Sequence, residues 1–198
     1  MKIVGRVFLG LHDLSVRLVA KTFSLLASGA FASFGRGTVL EPPIRLHGAN
    51  RIALGADIWI GGGSWLQVLD PDGGGVALSL GDGTNLAGGC VLSAAASVKL
   101  GRSVLLARNV YVSDHRHAFE DLTRPVISQG ITGIAPVEIG DGAWLGENVV
   151  VCPGVRIGRG AVIGANSVVL DDIPDHSVAV GAPARVVRQL TAAEVLHG

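Results

Sequence analysis

The sequence predicts an all-β fold, a parallel β-helix of stacked three-sided coils, on three observations. A branched aliphatic side chain recurs every sixth residue from Ile139 through Leu145, Val151, Ile157, Ile163 and Val169. The residue two places before each is apolar or small: Val137, Ala143, Val149, Val155, Ala161 and Ser167. Between them Gly, Asn and Asp cluster in GDG, GEN, GRG and GAN, and these residues accept the left-handed backbone of tight corners. An α-helix would repeat near 3.6 residues, whereas six is divisible by two, so positions i and i−2 share one face of a strand. Three such units close one coil, and stacking aligns the aliphatics in columns while hiding every strand edge except at the two ends.

The same ladder runs upstream through Leu54, Ile60 and Leu66, then Leu80, Leu86 and Leu92, then Leu100, Leu106 and Val112. A core of this kind suits a chain with 29 glycines and only 5% aromatic residues. At 198 residues the chain is expected to be one domain, or one domain with an appendage. The formal net charge is zero, which argues against a nucleic-acid partner. Cys90 and Cys152 lack metal-ligand spacing and read as buried free thiols. They require no oxidising compartment, so a cytoplasmic location is expected.

Residues 1–35 stand apart. Lys2, Arg6, Asp13, Arg17 and Lys21 interrupt the apolar run before it reaches membrane-spanning length. Their order is also wrong for an export signal. Leu9, Val16 and Phe23, with Leu14, Leu18 and Leu25, predict an amphipathic helix with a basic face. Such a helix is expected to cap the main fold, with weak contact to an anionic membrane surface as the second reading.

The ladder breaks twice. Residues 67–79, QVLDPDGGGVALS, read as a turn. Between Val112 and Ile139 lies SDHRHAFEDLTRPVISQGITGIAPVE, a loop long enough within a compact repeat to suggest function. It concentrates Asp114, His115, Arg116, His117, Glu120, Asp121 and Arg124.

The ladder, together with GAWLGENVVVCPGVRIGRGAVIGANSVVLDDIPDHSVAVGAPARVV, resembles the hexapeptide-repeat acyltransferases over residues 44–190. The likeness is to the maltose/galactoside O-acetyltransferases and the O-acetyltransferases of surface-polysaccharide gene clusters, and GAPAR after a DDIP turn carries most of it. The resemblance implies a left-handed parallel β-helix, although general connection rules favour the opposite hand. The typical N-terminal maltose-type helical region is absent, since residues 1–35 differ from it; the expected fold adds the amphipathic N-terminal segment and a short C-terminal helix to the β-helix. The expected spans are a helical cap over 1–40, the β-helix acyltransferase domain over 41–190 with loop 113–138 extruded, and a tail over 191–198.

The implied activity is O-acetyl transfer from acetyl-CoA to a sugar hydroxyl, without a metal, in a homotrimer with sites at the subunit seams. A His at the start of the extruded loop is the family's general base, and His115 matches that position. A neutral imidazole can take a hydroxyl proton as the oxygen attacks a thioester. His117 is the alternate. Asp114, Glu120 or a backbone carbonyl would fix the tautomer. Trp144 and Ala165 match positions beside the pantetheine arm, and Arg185 and Arg188 positions near the nucleotide phosphates. Asn85, Ser93 and Tyr111 are candidates for the acceptor pocket. The family's acceptor Asn falls instead on Ala87, which argues against simple maltose or galactoside specificity. Rival readings are N-acetylation of an amino-sugar nucleotide, xenobiotic acetylation, a zinc carbonic anhydrase-like hydratase and a non-catalytic trimeric scaffold. The zinc reading would need a third His about one coil away, and none stands there.

Overall fold

The computed structural model describes residues 2–70 and 72–191. Its strands form a left-handed parallel β-helix with sheets of six, eight and six strands as the three faces. Each coil contributes one short strand to each face in turn. The anchors stack in register on the first face as Phe34, Leu54, Leu80, Leu100, Ile139 and Ile157. Leu40, Ile60, Leu86, Leu106, Leu145, Ile163 and Ala179 form the second column. The third runs Leu46, Leu66, Leu92, Val112, Val151 and Val169. The residues two places before the anchors of the last two coils, Val137 to Ser167, are also buried, as a period of two within each strand requires.

The small residue after each first-face anchor has a steric cause. A Cβ on Gly81 would lie 2.7 Å from the carbonyl carbon of Gly101, and one on Gly140 would lie 2.6 Å from the Arg159 nitrogen. The backbone turns there directly against the next coil. At the corner between second and third faces, Asn109, Asn148 and Asn166 hold positive φ. Their side chains form a ladder, Asn109 Nδ2 donating to Asn148 Oδ1 and Asn148 Nδ2 to Asn166 Oδ1 at 3.2 and 3.0 Å. Asn takes this conformation at lower cost than most residues. Cys90 is buried and Cys152 half-buried, both as free thiols, and burial pushes both thiols above their usual range.

The two ends are closed in different ways. A helix covers Lys2–Ala27, but coil strands begin at Ser33, inside the span expected to be a helical cap. Ser33 and Phe34 pair with Ala53 and Leu54, so the ladder's first rungs were hidden upstream of its regular repeat. The helix closes the open edge of the second face: the Leu40 N–H donates to Ser24 Oγ at 2.8 Å. At the other end, Arg185–Gln189 is a strand antiparallel to Ser177–Val180. The chain reverses through GAPA, and the free edge of the second face offers hydrogen bonds that a helix would leave unused. A short C-terminal helix within 192–198 would lie outside the described residues.

Leu145→Ala removes a fully buried anchor from the middle of its column. Urea unfolding should show about 2–5 kcal/mol lost with an unchanged slope. A loss well below about 1 kcal/mol would mean the column does not carry the core.

Candidate active site

Both interruptions of the ladder leave the prism at one corner, where the third face passes into the first. The loop after Val68 is stapled there by Arg51, a buried side chain donating to the carbonyls of Asp70, Gly74 and Gly75. Two coils further along, the strand Tyr111–Ser113 leads into Asp114 and His115. Arg116–His117 then pairs antiparallel with Ile131–Thr132, forming the base of the extruded loop.

Asp114 is fully buried and its carboxylate is completely engaged. Oδ1 accepts the N–H of Ala95 at 2.8 Å, and Oδ2 accepts those of Ala96 and Ser97, each at 2.7 Å. Those three residues turn the same corner one coil earlier, in the small-residue stretch SAAAS. Oδ1 also lies 2.8 Å from His115 Nδ1. Burial alone would raise this carboxyl's pKa, but the Ala95 N–H, the His115 imidazole and the N–H groups of Ala96 and Ser97 outweigh it and hold the group below its ordinary value. An ionised Asp114 accepts the Nδ1 proton, which leaves the Nε2 lone pair available.

Nε2 faces Ser93 Oγ at 3.5 Å, and Ser93 Oγ in turn accepts from Gln67 Nε2 at 2.6 Å. Gln67, Ser93 and Ser113 each follow an anchor of the third face and stack coil on coil. Ser113 Oγ lies 3.2 Å from His115 Nδ1 and donates to the His115 carbonyl at 2.8 Å. The His115 side chain is 9% exposed, so its ring is fixed while one edge still meets solvent.

The other candidates divide. Ser93 stands beside His115. Glu120 does not reach it: this exposed carboxylate lies 3.6 Å from Arg116 Nη2 and accepts the N–H of Phe119. Loop geometry turns Glu120 away, so Asp114 alone of the two carboxylates orients the imidazole. His117 is exposed on the hairpin strand. Asn85 and Trp144 both belong to the second face, flanking Leu105 in one outward column. Ala165 sits at the exposed corner between second and third faces. Tyr111, 40% exposed, lies at the far end of its strand from His115. Arg185 and Arg188 lie on the closing strand, with Arg185 Nη1 2.9 Å from Asp171 Oδ2. Within one protomer, His115 and the second-face candidates are separated by the full width of the third face. Among the described residues, no three His, Cys, Asp or Glu side chains converge as a metal site would require.

Sequence reasoning missed Gln67, Ser113 and the backbone donors of Ala95–Ser97. The run of small residues in SAAAS was the available signal, since only small side chains let a turn wrap a carboxylate so closely.

A family model described as bacterial transferase hexapeptide (six repeats) matches residues 136–171. Over that span the chain carries the hexapeptide repeats of a bacterial transferase family. Among curated relatives, a probable acetyltransferase of Mycobacterium tuberculosis is 38% identical over 57% of this chain and 37% of its own length. WbbJ of Escherichia coli, named for O-acetyl transfer in lipopolysaccharide biosynthesis, is 37% identical over 47% of this chain and 50% of its own. The chain thus spans about half or less of these two relatives. Among solved structures, a maltose O-acetyltransferase from Clostridium difficile matches with a TM-score of 0.58 at 27% identity, covering 90% of this chain and 88% of that one. The N-acyltransferase AntD from Bacillus cereus, solved with coenzyme A and a dTDP-amino sugar, reaches 0.73 at 20% identity over 87% of this chain and 91% of its own. At that identity AntD speaks for the fold alone. Both structures share the prism fold with this chain.

A depressed carboxyl stabilises the fold above its unfolded-state pKa, near 3.9, and that contribution fades as pH falls through the folded-state value. Asp114→Asn should cost about 1–3 kcal/mol at pH 7, since an amide N–H₂ would oppose backbone donors. The gap between wild type and variant should narrow from about pH 5 downward. A gap unchanged to about pH 2.5 would contradict an ionised Asp114.

Proposed function

We propose that this chain transfers the acetyl group of acetyl-CoA to a sugar hydroxyl of a surface polysaccharide or its precursor, with His115 as general base. The single observation carrying this reading is the Asp114–His115 pair at 2.8 Å, which turns Nε2 away from the carboxylate at the mouth of a polar corner. The acceptor hydroxyl gives its proton to Nε2 as its oxygen bonds to the thioester carbonyl carbon. The tetrahedral intermediate collapses, the C–S bond breaks, and the imidazolium returns the proton to the departing thiolate. Base assistance of this kind contributes roughly 10²–10⁴-fold.

Ser93 completes an arrangement that superficially suggests a serine nucleophile. Its side chain is fully buried beneath the His115 ring, which supports direct attack by the acceptor with Ser93 and Gln67 as polar neighbours of Nε2. Acetyl-CoA as donor implies a cytoplasmic reaction.

The separation of His115 from Trp144 and Ala165 supports a homotrimer, in which one copy's His115 would meet the second face of the next. Surface chemistry favours the same assembly. The outward column of the first face is polar, with Ser79, Lys99, Glu138 and Arg156. That of the second face carries Trp59, Leu105 and Trp144, which are 38%, 43% and 50% exposed. The third face adds Trp65, Val91, Tyr111 and Val150. Two adjacent apolar faces fit burial between copies of the chain. Trp144 and Ala165 would then flank the pantetheine arm in the seam, with Arg185 and Arg188 near the phosphates.

Release of free thiol from acetyl-CoA, followed across sugars and matched amino sugars, tests the reading. Hydroxyl acceptors should turn over, the active species should have three times the 20.3 kDa chain mass, and His115→Ala should retain coenzyme A binding while losing at least two orders of magnitude in kcat. Ser93→Ala should stay within about tenfold of wild type. Near-normal turnover by His115→Ala would overturn the base assignment, and a Ser93→Ala defect equal to that of His115→Ala would overturn direct attack.

A further inference from the structure

The helix Lys2–Ala27 has two opposed faces with different fates. One is used: Ala20 and Ser24 are buried, Val16, Phe23 and Ala27 are half-buried, and Ser24 caps the Leu40 strand. The other is unused. Val4, Leu11, Leu18 and Leu25 recur every seventh residue with Val7 and Leu14 between them, and these six side chains are 57–75% exposed. On a helical projection this apolar stripe lies opposite the packed face. Leaving such a stripe in water along some seven turns of helix is costly, so it marks an interaction surface.

Charge decides what covers it. Arg17 and Lys21 flank the stripe on one side, while Lys2 and Arg6 point in the helical directions of the packed Ala20 and Ser24, and Asp13 is the helix's single acidic residue. A second copy of the helix is a poor occupant. A pairing helix would need acids beside its seam to meet these cations, and Lys21 itself occupies a seam position of the seven-residue repeat. Among the described residues no helix is long and apolar enough to cross a membrane. An apolar stripe flanked by cations is instead the pattern of a helix lying in the plane of a bilayer interface.

We propose that this helix docks the protein on an anionic lipid bilayer, its stripe entering the acyl boundary and the flanking Arg17 and Lys21 meeting lipid phosphates and carboxylates. The packed face stays on the prism, so docking requires no unfolding. The β-helix is thereby held at the surface where a lipid-carried acceptor would be presented. The membrane contact itself rests only on the helix and stands whether or not the proposed acetyl transfer does.

The test is flotation of the full-length protein with vesicles of phosphatidylglycerol and phosphatidylcholine, compared with phosphatidylcholine alone. Binding to the anionic vesicles should be at least about tenfold stronger and should weaken as salt shortens the screening length. Arg17→Gln with Lys21→Gln should reduce it about 25-fold, at roughly fivefold per charge. Leu11→Ser with Leu18→Ser should abolish flotation while circular dichroism, solution mass and thiol release with a soluble acceptor stay unchanged. No flotation on anionic vesicles, or equal flotation on both kinds, would overturn the proposal. So would a fall in solution mass in the leucine variant, which would show that helices cover one another.

Discussion

The candidate site depends on one buried carboxylate. Asp114 follows a strand of the third face, yet its four hydrogen bonds reach back to the preceding coil and forward to the next residue. Three backbone N–H groups neutralise it without a cation, so the negative charge remains directed at His115. A buried carboxylate without such donors would protonate instead. The same bonds pin the first residues of the extruded loop to rigid coils, so the imidazole is held by the prism although its chain belongs to a loop.

That clasp is possible only because the coils stack in strict register. Val112 lies over Leu92 and Leu66, which sets Ser113 over Ser93 and Gln67 and brings the 95–97 turn beneath Asp114. A slip of one residue would turn every anchor outward and separate the pair from its donors. The hydrophobic ladder and the polar corner are therefore one construction: the ladder specifies height along the axis, and each interruption spends that regularity at a single corner. Extra chain leaves there twice and returns without disturbing the columns, as the pairing of Leu100 with Ile139 across the long loop demonstrates.

Much of this was legible in the sequence because the repeat is local. Six-residue spacing reports which side chains face inward, and the Asn and Gly corners report where the backbone takes positive φ. His115 stood out because it follows the last anchor before the break. The partners of Asp114 were not legible, since Ala95 is 19 residues away and contributes only its backbone. Glu120 looked equivalent to Asp114 as a support for the imidazole, but it lies beyond the hairpin strand, where Arg116 holds it in solvent. Asn85 looked close to the acceptor candidates in sequence but faces a different side of the prism from His115. The antiparallel direction of the C-terminal strand was not legible, because the demand it satisfies, an uncovered sheet edge, exists only once the coils are stacked.

The central claim is that Asp114 fixes His115 as the Nδ1–H tautomer, leaving Nε2 as the base. Nitrogen-15 NMR of the protein labelled at its imidazoles, with His115 assigned by its absence in His115→Gln, reads this directly. A protonated Nδ1 and a bare Nε2 at neutral pH, with that preference lost in Asp114→Asn, is the predicted result. A His115 signal showing the proton on Nε2 in the wild-type protein would contradict it.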